Sequence, residues 1–275
     1  MLTLNNQKYS IMKNTIERRR SMAEKKPIPN GGSVKLWFVR HGQASFGKED
    51  YDYLSPVGIQ QSRILGEYFK KTGLGFDAVY SGQMKRQRDT ADLVIDKQPH
   101  QSLPVSTIMS EFDEYDFMSI IHDQLPCVMD ELGLPENILG NIQADRKTFQ
   151  KLFNIIYTRW VAGTHDSGEI ESYRQYISRV QKGLFKVVEN SQPGQNIGIF
   201  TSGGVINGVM QMALDLPDDV ATELGWRIRN TSVSLFTVHK GKTADHGSRY
   251  DCRLMTFNST AHLDLLGNSD LVTYR

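Results

Sequence analysis

Cysteine is almost missing from this 275-residue chain: there are two, Cys127 and Cys252, far apart and outside any CxxC pair. That excludes a disulfide framework and a cysteine-based zinc site, and it fits a reducing compartment. Neither charge sign dominates. Lys and Arg number 32 against 31 Asp and Glu, a formal net charge of +1. Such a balance gives no ground for wholesale binding to nucleic acid or to an anionic membrane. Apolar runs long enough to span a bilayer are lacking, and the N-terminus has no apolar secretory core. A cytoplasmic location is therefore expected. Internal repeats and low-complexity tracts are missing too, so the length allows one large domain or two small ones.

What the chain does have begins at 34–43, VKLWFVRHGQ. An apolar run rich in β-branched and aromatic residues stops at Arg40, His41 and Gly42, which reads as a buried strand delivering a cation and an imidazole at its C-terminal end. Residues 1–32 precede it as a tail, with the basic run Arg18-Arg19-Arg20 and a Pro/Gly linker signal. Its default state is a solvated, frayed terminus. Ser55 as N-cap and Pro56 at the first helical position open a helix. Ile59, Arg63 through its stem, Leu65, Tyr68 and Phe69 form its expected buried face. A second strand, 76–80, breaks at Ser81-Gly82 and leads into a helix over 84–96 with Arg86 in its first turn. A third short strand signal, Leu103 to Ile108, ends near Glu111. From 112 to 167 acidic and aromatic residues with scattered Pro and Gly read as an insertion, with an amphipathic helix over 149–160. The spacing predicts a strong helix over 169–188. A strand at 196–200 then ends in Thr201-Ser202-Gly203-Gly204 and feeds a helix over 205–214. Two last strands are expected at 232–239 and 252–257.

Three times, then, a strand ends in a small polar or charged cluster and a helix follows. If the strands are parallel neighbours, the clusters share one rim, where ligands of open α/β sheets bind. Each helix points its N-terminus there and favours an anion. Two arginines suit a phosphate held by bidentate bonds. His41 adds a nitrogen that is neutral for much of the time near pH 7 and is a competent nucleophile. Such a site transfers a phosphoryl group through a phosphohistidine without a metal or other cofactor, by positioning and charge neutralisation. Glu111 is the candidate proton donor, with Asp113, Glu114 and Asp116 as competitors in the same loop. A buried phosphate nearby is expected to raise its pKa.

These residues resemble a known family. Arg40-His41-Gly42 after a hydrophobic strand is similar to the RHG signature of the histidine phosphatase (phosphoglycerate mutase-like) superfamily. Residues 54–61, LSPVGIQQ, resemble its L-[ST]-x-x-G-x-x-Q segment. Residues 79–86 with Thr90-Ala91 resemble Y-[ST]-S-x-x-x-R-x-x-x-T-A, which assigns the second phosphate arginine to Arg86 rather than Arg88. Glu111 occupies the place of the family's acidic donor. The resemblance covers about 34–263. It departs at one position, since the family's second active-site histidine lies in an S-H-G-G motif and Ser202 stands there instead. A serine hydroxyl donates one hydrogen bond but carries no charge, and loss of such a stabiliser slows turnover by roughly two to three orders of magnitude.

The resemblance implies a three-layer α/β/α sandwich over 33–275 with a mostly parallel sheet and a helical cap inserted at about 112–167. It implies a metal-independent phosphomonoester hydrolase, of reduced activity, with His41 as nucleophile, Arg40 and Arg86 as the phosphate clamp and Glu111 as acid. Gln43, Ser45, Ser202 and Gly203 line the pocket, and His262 substitutes for the missing imidazole if it reaches the rim. Partners would be a phosphorylated small molecule or a phosphoprotein, not nucleic acid or a membrane. A phosphoryl-ligand binding or scaffold protein without catalysis is the alternative. A phosphoglycerate mutase is disfavoured because 43–47, QASFG, lacks the Trp-Asn pair of mutases.

Overall fold

The computed structural model describes residues 32–45, 52–97, 105–133, 146–164, 167–240 and 250–274. The expected tail, Gly32 apart, and Leu103 and Pro104 lie outside them. Six strands form one sheet: β1 Val34–Arg40, β2 Ala78–Ser81, β3 Thr107–Ile108, β4 Asn196–Thr201, β5 Val233–Lys240 and β6 Tyr250–Ser259. Their order is β3-β2-β4-β1-β5-β6. β3, β2, β4 and β1 run parallel, while β5 is antiparallel to both β1 and β6.

Alternation along the strands makes the layers. On β1, Val34, Leu36 and Phe38 face one core and Val39 the other, and on β4 Ile197 and Ile199 oppose Phe200 in the same way. Helices α1 (Pro56–Thr72) and α2 (Lys85–Ile95) cover one face with Leu65, Phe69, Ala91 and Val94. The other face takes α5 (Tyr173–Glu189) and α6 (Gly203–Leu214). It also takes residues of α3 (Phe117–Leu132) and α4 (Arg146–Ala162), the helices of the expected cap. A short α7 (Asp218–Gly225), which periodicity did not reveal, and α8 (Ala261–Asp264) complete the helices among the described residues. The aromatic stripe of α4 is core: Trp160 is fully buried, and the Phe153 ring lies 4.3 Å from Phe117 and 4.8 Å from Trp226.

Local chemistry explains most boundaries. Ser55 caps α1 by accepting from the Gly58 N–H (3.0 Å), and Gly73 closes it in the left-handed region. Three expectations need correction. Helix α5 starts at Tyr173 rather than 169, because Gly168 has φ +80° and Ser172 with Gln175 forms a capping box. Arg63 is exposed, and the buried polar positions of α1 are Gln61 and Ser62. The third strand is only two residues long and both are exposed.

The start of α1 is pressed against the loop that follows β1. A Cβ on Gly58 would lie 2.1 Å from the Gln43 carbonyl oxygen, and one on Gly42 would lie 2.5 Å from that of Gly58. Backbone meets backbone at both places, so neither side can yield by rotating a side chain. Gly58→Ala is expected to cost about 1–3 kcal/mol, lowering the melting temperature by roughly 5 °C, and to impair the adjacent His41. Gly73→Ala, where nothing lies within 4 Å, should cost only the left-handed penalty of about 1–2 kcal/mol and leave activity intact. Thermal melts with parallel activity assays check both.

Candidate active site

Parallel pairing of β1 with β4 places His41 beside the end of its neighbour: the His41 N–H donates to the Thr201 carbonyl (2.8 Å). The turn before β5 holds the other side. Thr231, at φ 54°, donates its N–H to the Arg40 and His41 carbonyls, and Asn230 Nδ2 donates to the His41 carbonyl (3.1 Å). Gly42 N–H donates to Thr90 Oγ1 (3.0 Å), tying the loop to α2. The imidazole is therefore fixed through its backbone before any ring contact is counted.

The ring is buried. Nδ1 lies 2.7 Å from the Gly42 carbonyl, and Arg86 Nε lies 3.2 Å from Nε2. A carbonyl only accepts and a guanidinium only donates, so Nδ1 carries the proton and Nε2 presents its lone pair. Burial, then the charges of Arg86 and Arg40, hold the imidazole pKa well below its usual value. The site thus contains a neutral imidazole with a single tautomer.

Arg86 Nη1 pairs with Asp52 Oδ1 (2.8 Å), and Asp52 Oδ2 accepts the Lys85 N–H (2.7 Å). Lys85 is the first residue of α2, whose own N-cap, Met84, offers no side-chain cap. A carboxylate thus occupies the helix N-terminus and the guanidinium together, where an anion was expected. Asp52 was not singled out from sequence because it lies 34 residues from Arg86. Arg40 Nη1 donates to the Ile228 carbonyl, and its guanidinium lies against Gly203. Ser202 is fully buried at the start of α6, and its Oγ accepts from Gln87 Nε2 (2.8 Å), which also reaches the Phe112 carbonyl (3.2 Å). Gln87 is a second site residue that sequence reading missed. His41, Arg40, Arg86, Ser202 and Gly203 are brought together.

The remaining candidates lie differently. Gln43 Oε1 accepts from the Ser55 hydroxyl (2.7 Å), and the Ser45 N–H donates to the Tyr53 carbonyl (2.8 Å), so both brace the adjoining loop. Glu111, in a 3-10 turn over Ser110–Phe112, points along α5 and pairs with Lys186. Helix α5 leads into the N-terminal end of β4, so Lys186, in its last turn, lies toward the sheet end opposite the rim. The Lys186 hydrogen bond lowers the Glu111 pKa, whereas a raised value was expected. His262 Nε2 meets Thr231 Oγ1 (3.0 Å) and its ring packs on Tyr68 (6.1 Å). It braces the turn beneath His41 instead of taking the place of the missing imidazole. Among the described residues, no three His, Cys, Asp or Glu side chains group as a metal site. None of the described helices is long and apolar enough to cross a membrane.

The sequence profile of the histidine phosphatase superfamily (branch 1) matches residues 36–123 and 120–246. The chain belongs to that superfamily. A broad-specificity phosphatase of Saccharomyces cerevisiae is 32% identical over 191 residues, 65% of this chain and 69% of that protein. A 2,3-bisphosphoglycerate-dependent phosphoglycerate mutase of Hamiltonella defensa is 35% identical over 78 residues, 26% of this chain and 31% of its own length. Among solved structures, a phosphoglycerate mutase from Bacillus anthracis superposes with a TM-score of 0.58 at 17% identity, covering 87% of this chain and 99% of that one. A mycobacterial glucosyl-3-phosphoglycerate phosphatase gives 0.53 at 18% identity, covering 82% and 98%. Both share the fold.

In this histidine phosphatase homologue, buried neutral imidazoles carry a pH signature. Burial lowers the His262 pKa to about 4, below the unfolded value of about 6.5. The unfolded chain therefore binds the proton first. Stability from this group is complete above the unfolded value and is lost as pH falls through the folded one, by roughly 3 kcal/mol in all. His41 acts in the same direction. His262→Gln should flatten the fall in unfolding free energy between about pH 6.5 and 4, measured by urea titration at stepped pH. An unchanged slope would show that His262 is already charged in the fold.

Proposed function

We propose that the protein hydrolyses phosphomonoesters through a phosphohistidine at His41. The observation that carries this reading is the neutral, single-tautomer imidazole whose Nε2 lone pair meets a guanidinium inside a buried pocket. In the free protein, Arg86 and Asp52 hold the place of a phosphoryl group. An incoming phosphate displaces the Asp52 carboxylate, takes the Arg86 and Arg40 guanidinium groups and the Ser202 hydroxyl, and leaves Nε2 facing phosphorus. Nε2 forms the P–N bond as the ester P–O bond breaks. The proton stays on Nδ1, donated to the Gly42 carbonyl throughout, so the imidazole needs no separate base. Water then attacks phosphorus, the P–N bond breaks and neutral His41 returns. The similarity to the yeast broad-specificity phosphatase supports hydrolysis over transfer between substrate positions.

A binding protein without turnover is the second reading. It is favoured by Ser202, an uncharged hydroxyl already bonded to Gln87 where the family motif has a histidine. Turnover of p-nitrophenyl phosphate in a metal-chelated buffer separates the two. We expect turnover, an acid-labile phosphoenzyme, and a loss of roughly three orders of magnitude or more in His41→Ala. Activity persisting in that variant excludes His41 as nucleophile, and no turnover on a broad phosphoester panel leaves the binding reading. Ser202→His should raise turnover if the rest of the pocket accommodates an imidazole, and Arg86→Ala should raise KM and lower kcat together.

A further inference from the structure

Deepening that reading, we propose that Asp113, two residues beyond the expected acid, protonates the leaving-group oxygen in this chain. The order of contacts down α5 carries the argument. Near the rim, Tyr176 donates to Glu114 Oε1 (3.1 Å), whose other oxygen accepts the Gly204 N–H at the start of α6 (3.1 Å). One turn further, Arg179 donates to the backbone carbonyls of Ser110 (2.8 Å) and Asp113 (3.1 Å). Further still, Glu111 lies against Gly183 and pairs with Lys186. Glu111 therefore projects away from the rim, and Glu114 is spent on the α6 N-terminus. Asp113 turns the other way, toward β2 and α2. Its Oδ1 accepts the Gln83 N–H (2.5 Å) and Oδ2 the Gln83 side-chain amide (3.2 Å).

Around Gly82 the rim closes on itself. A Cβ there would meet Gln87 Oε1 at 1.9 Å, Asp113 Oδ1 at 2.7 Å and the Phe112 carbonyl at 2.7 Å. The same Gln87 bonds Ser202. Asp113, Gly82, Gln87 and Ser202 thus form a continuous line across the rim, and Gln87 directly follows Arg86 in α2. Gln87 Oε1 is buried without a hydrogen-bond donor, and Asp113 Oδ1 lies beside the same Gly82 position. Burial raises the Asp113 pKa, assisted by the charge of Asp52 and opposed by the Gln83 bonds and Arg179. The step balances. As Nε2 displaces the ester oxygen, the Asp113 O–H bond breaks and its proton goes to that oxygen. In the second half, the Asp113 carboxylate takes a proton from the water whose oxygen attacks phosphorus, which restores the acid.

The test compares two leaving groups in the full-length protein. p-Nitrophenolate departs without a proton, whereas the alkoxide of glycerol 2-phosphate does not. Asp113→Asn should lower kcat for glycerol 2-phosphate at least about a hundredfold, while p-nitrophenyl phosphate turnover changes only a few-fold. Asp113→Glu should restore part of the alkyl-ester rate. Glu111→Gln should lower both substrates equally and slightly. A selective alkyl-ester loss in Glu111→Gln, or an equal loss of both substrates in a folded Asp113→Asn, would overturn the proposal. If Asp113→Asn does not fold, Asp113→Glu decides: an alkyl-ester rate lowered selectively against p-nitrophenyl phosphate supports the proposal, and an equal change for both substrates overturns it. Wild-type protein that fails on p-nitrophenyl phosphate would instead refute the hydrolase reading itself.

Discussion

A neutral imidazole buried among guanidinium groups is the constraint on which the pocket depends. His41 cannot be protonated there without adding a third positive charge, and its two ring nitrogens are committed by partners with fixed hydrogen-bonding roles. Everything nearby follows from the surplus of positive charge. Asp52 crosses from the loop before α1 to pair with Arg86, and the N-termini of α2 and α6 add to the same field. An isolated buried cation is costly, so the Arg86 guanidinium needs a counter-anion. The Asp52 carboxylate fills that role, and on the proposed reading it sets a threshold for ligand binding, because an incoming phosphate must outcompete it.

The sheet makes this possible by where its strands end. With β1 and β2 on either side of β4, three parallel strand ends come side by side, and each following helix starts at the same edge. The reversal at β5 matters as much. It lets the turn at Asn230 and Thr231 return to the rim and hold the His41 backbone. Gly42 and Gly58 then allow α1 to press on the loop from the other side. His41 is thereby placed by backbone geometry on rigid elements rather than by side-chain contacts alone.

Features encoded locally were legible in the sequence. The apolar run ending at Arg40-His41, the Ser55 cap with Pro56, and the alternation of apolar residues in β4 each depend on neighbours a few positions apart. Arg86 was legible because an arginine in a helix's first turn gains little without an anion. What escaped depends on distant partners or on a single dihedral angle. Glu111 was placed by its position after a strand, but a 3-10 turn rotates successive side chains by about a third of a circle. The turn therefore sends Glu111 down α5 and leaves Asp113 facing β2. Asp52 and Gln87 became functional candidates only through contacts across 34 and 115 residues. The start of α5 was misplaced because apolar spacing does not register a capping box.

The exchange of histidine for serine has a partner in the structure. Gln87 fills the space beside Ser202 with a neutral amide and donates to its oxygen. On the proposed reading Ser202 has its hydroxyl proton to give to a phosphoryl oxygen, but the position carries no titratable cation. On the proposed reading, the side chains left to neutralise a phosphate dianion are Arg40 and Arg86. Under that reading phosphoryl binding does not draw on a second histidine, and the pH dependence falls on His41 and on the acid that serves the leaving group. A pocket of this kind trades transition-state charge for a simpler dependence on pH. The cost is smallest for esters whose leaving oxygen needs the least help.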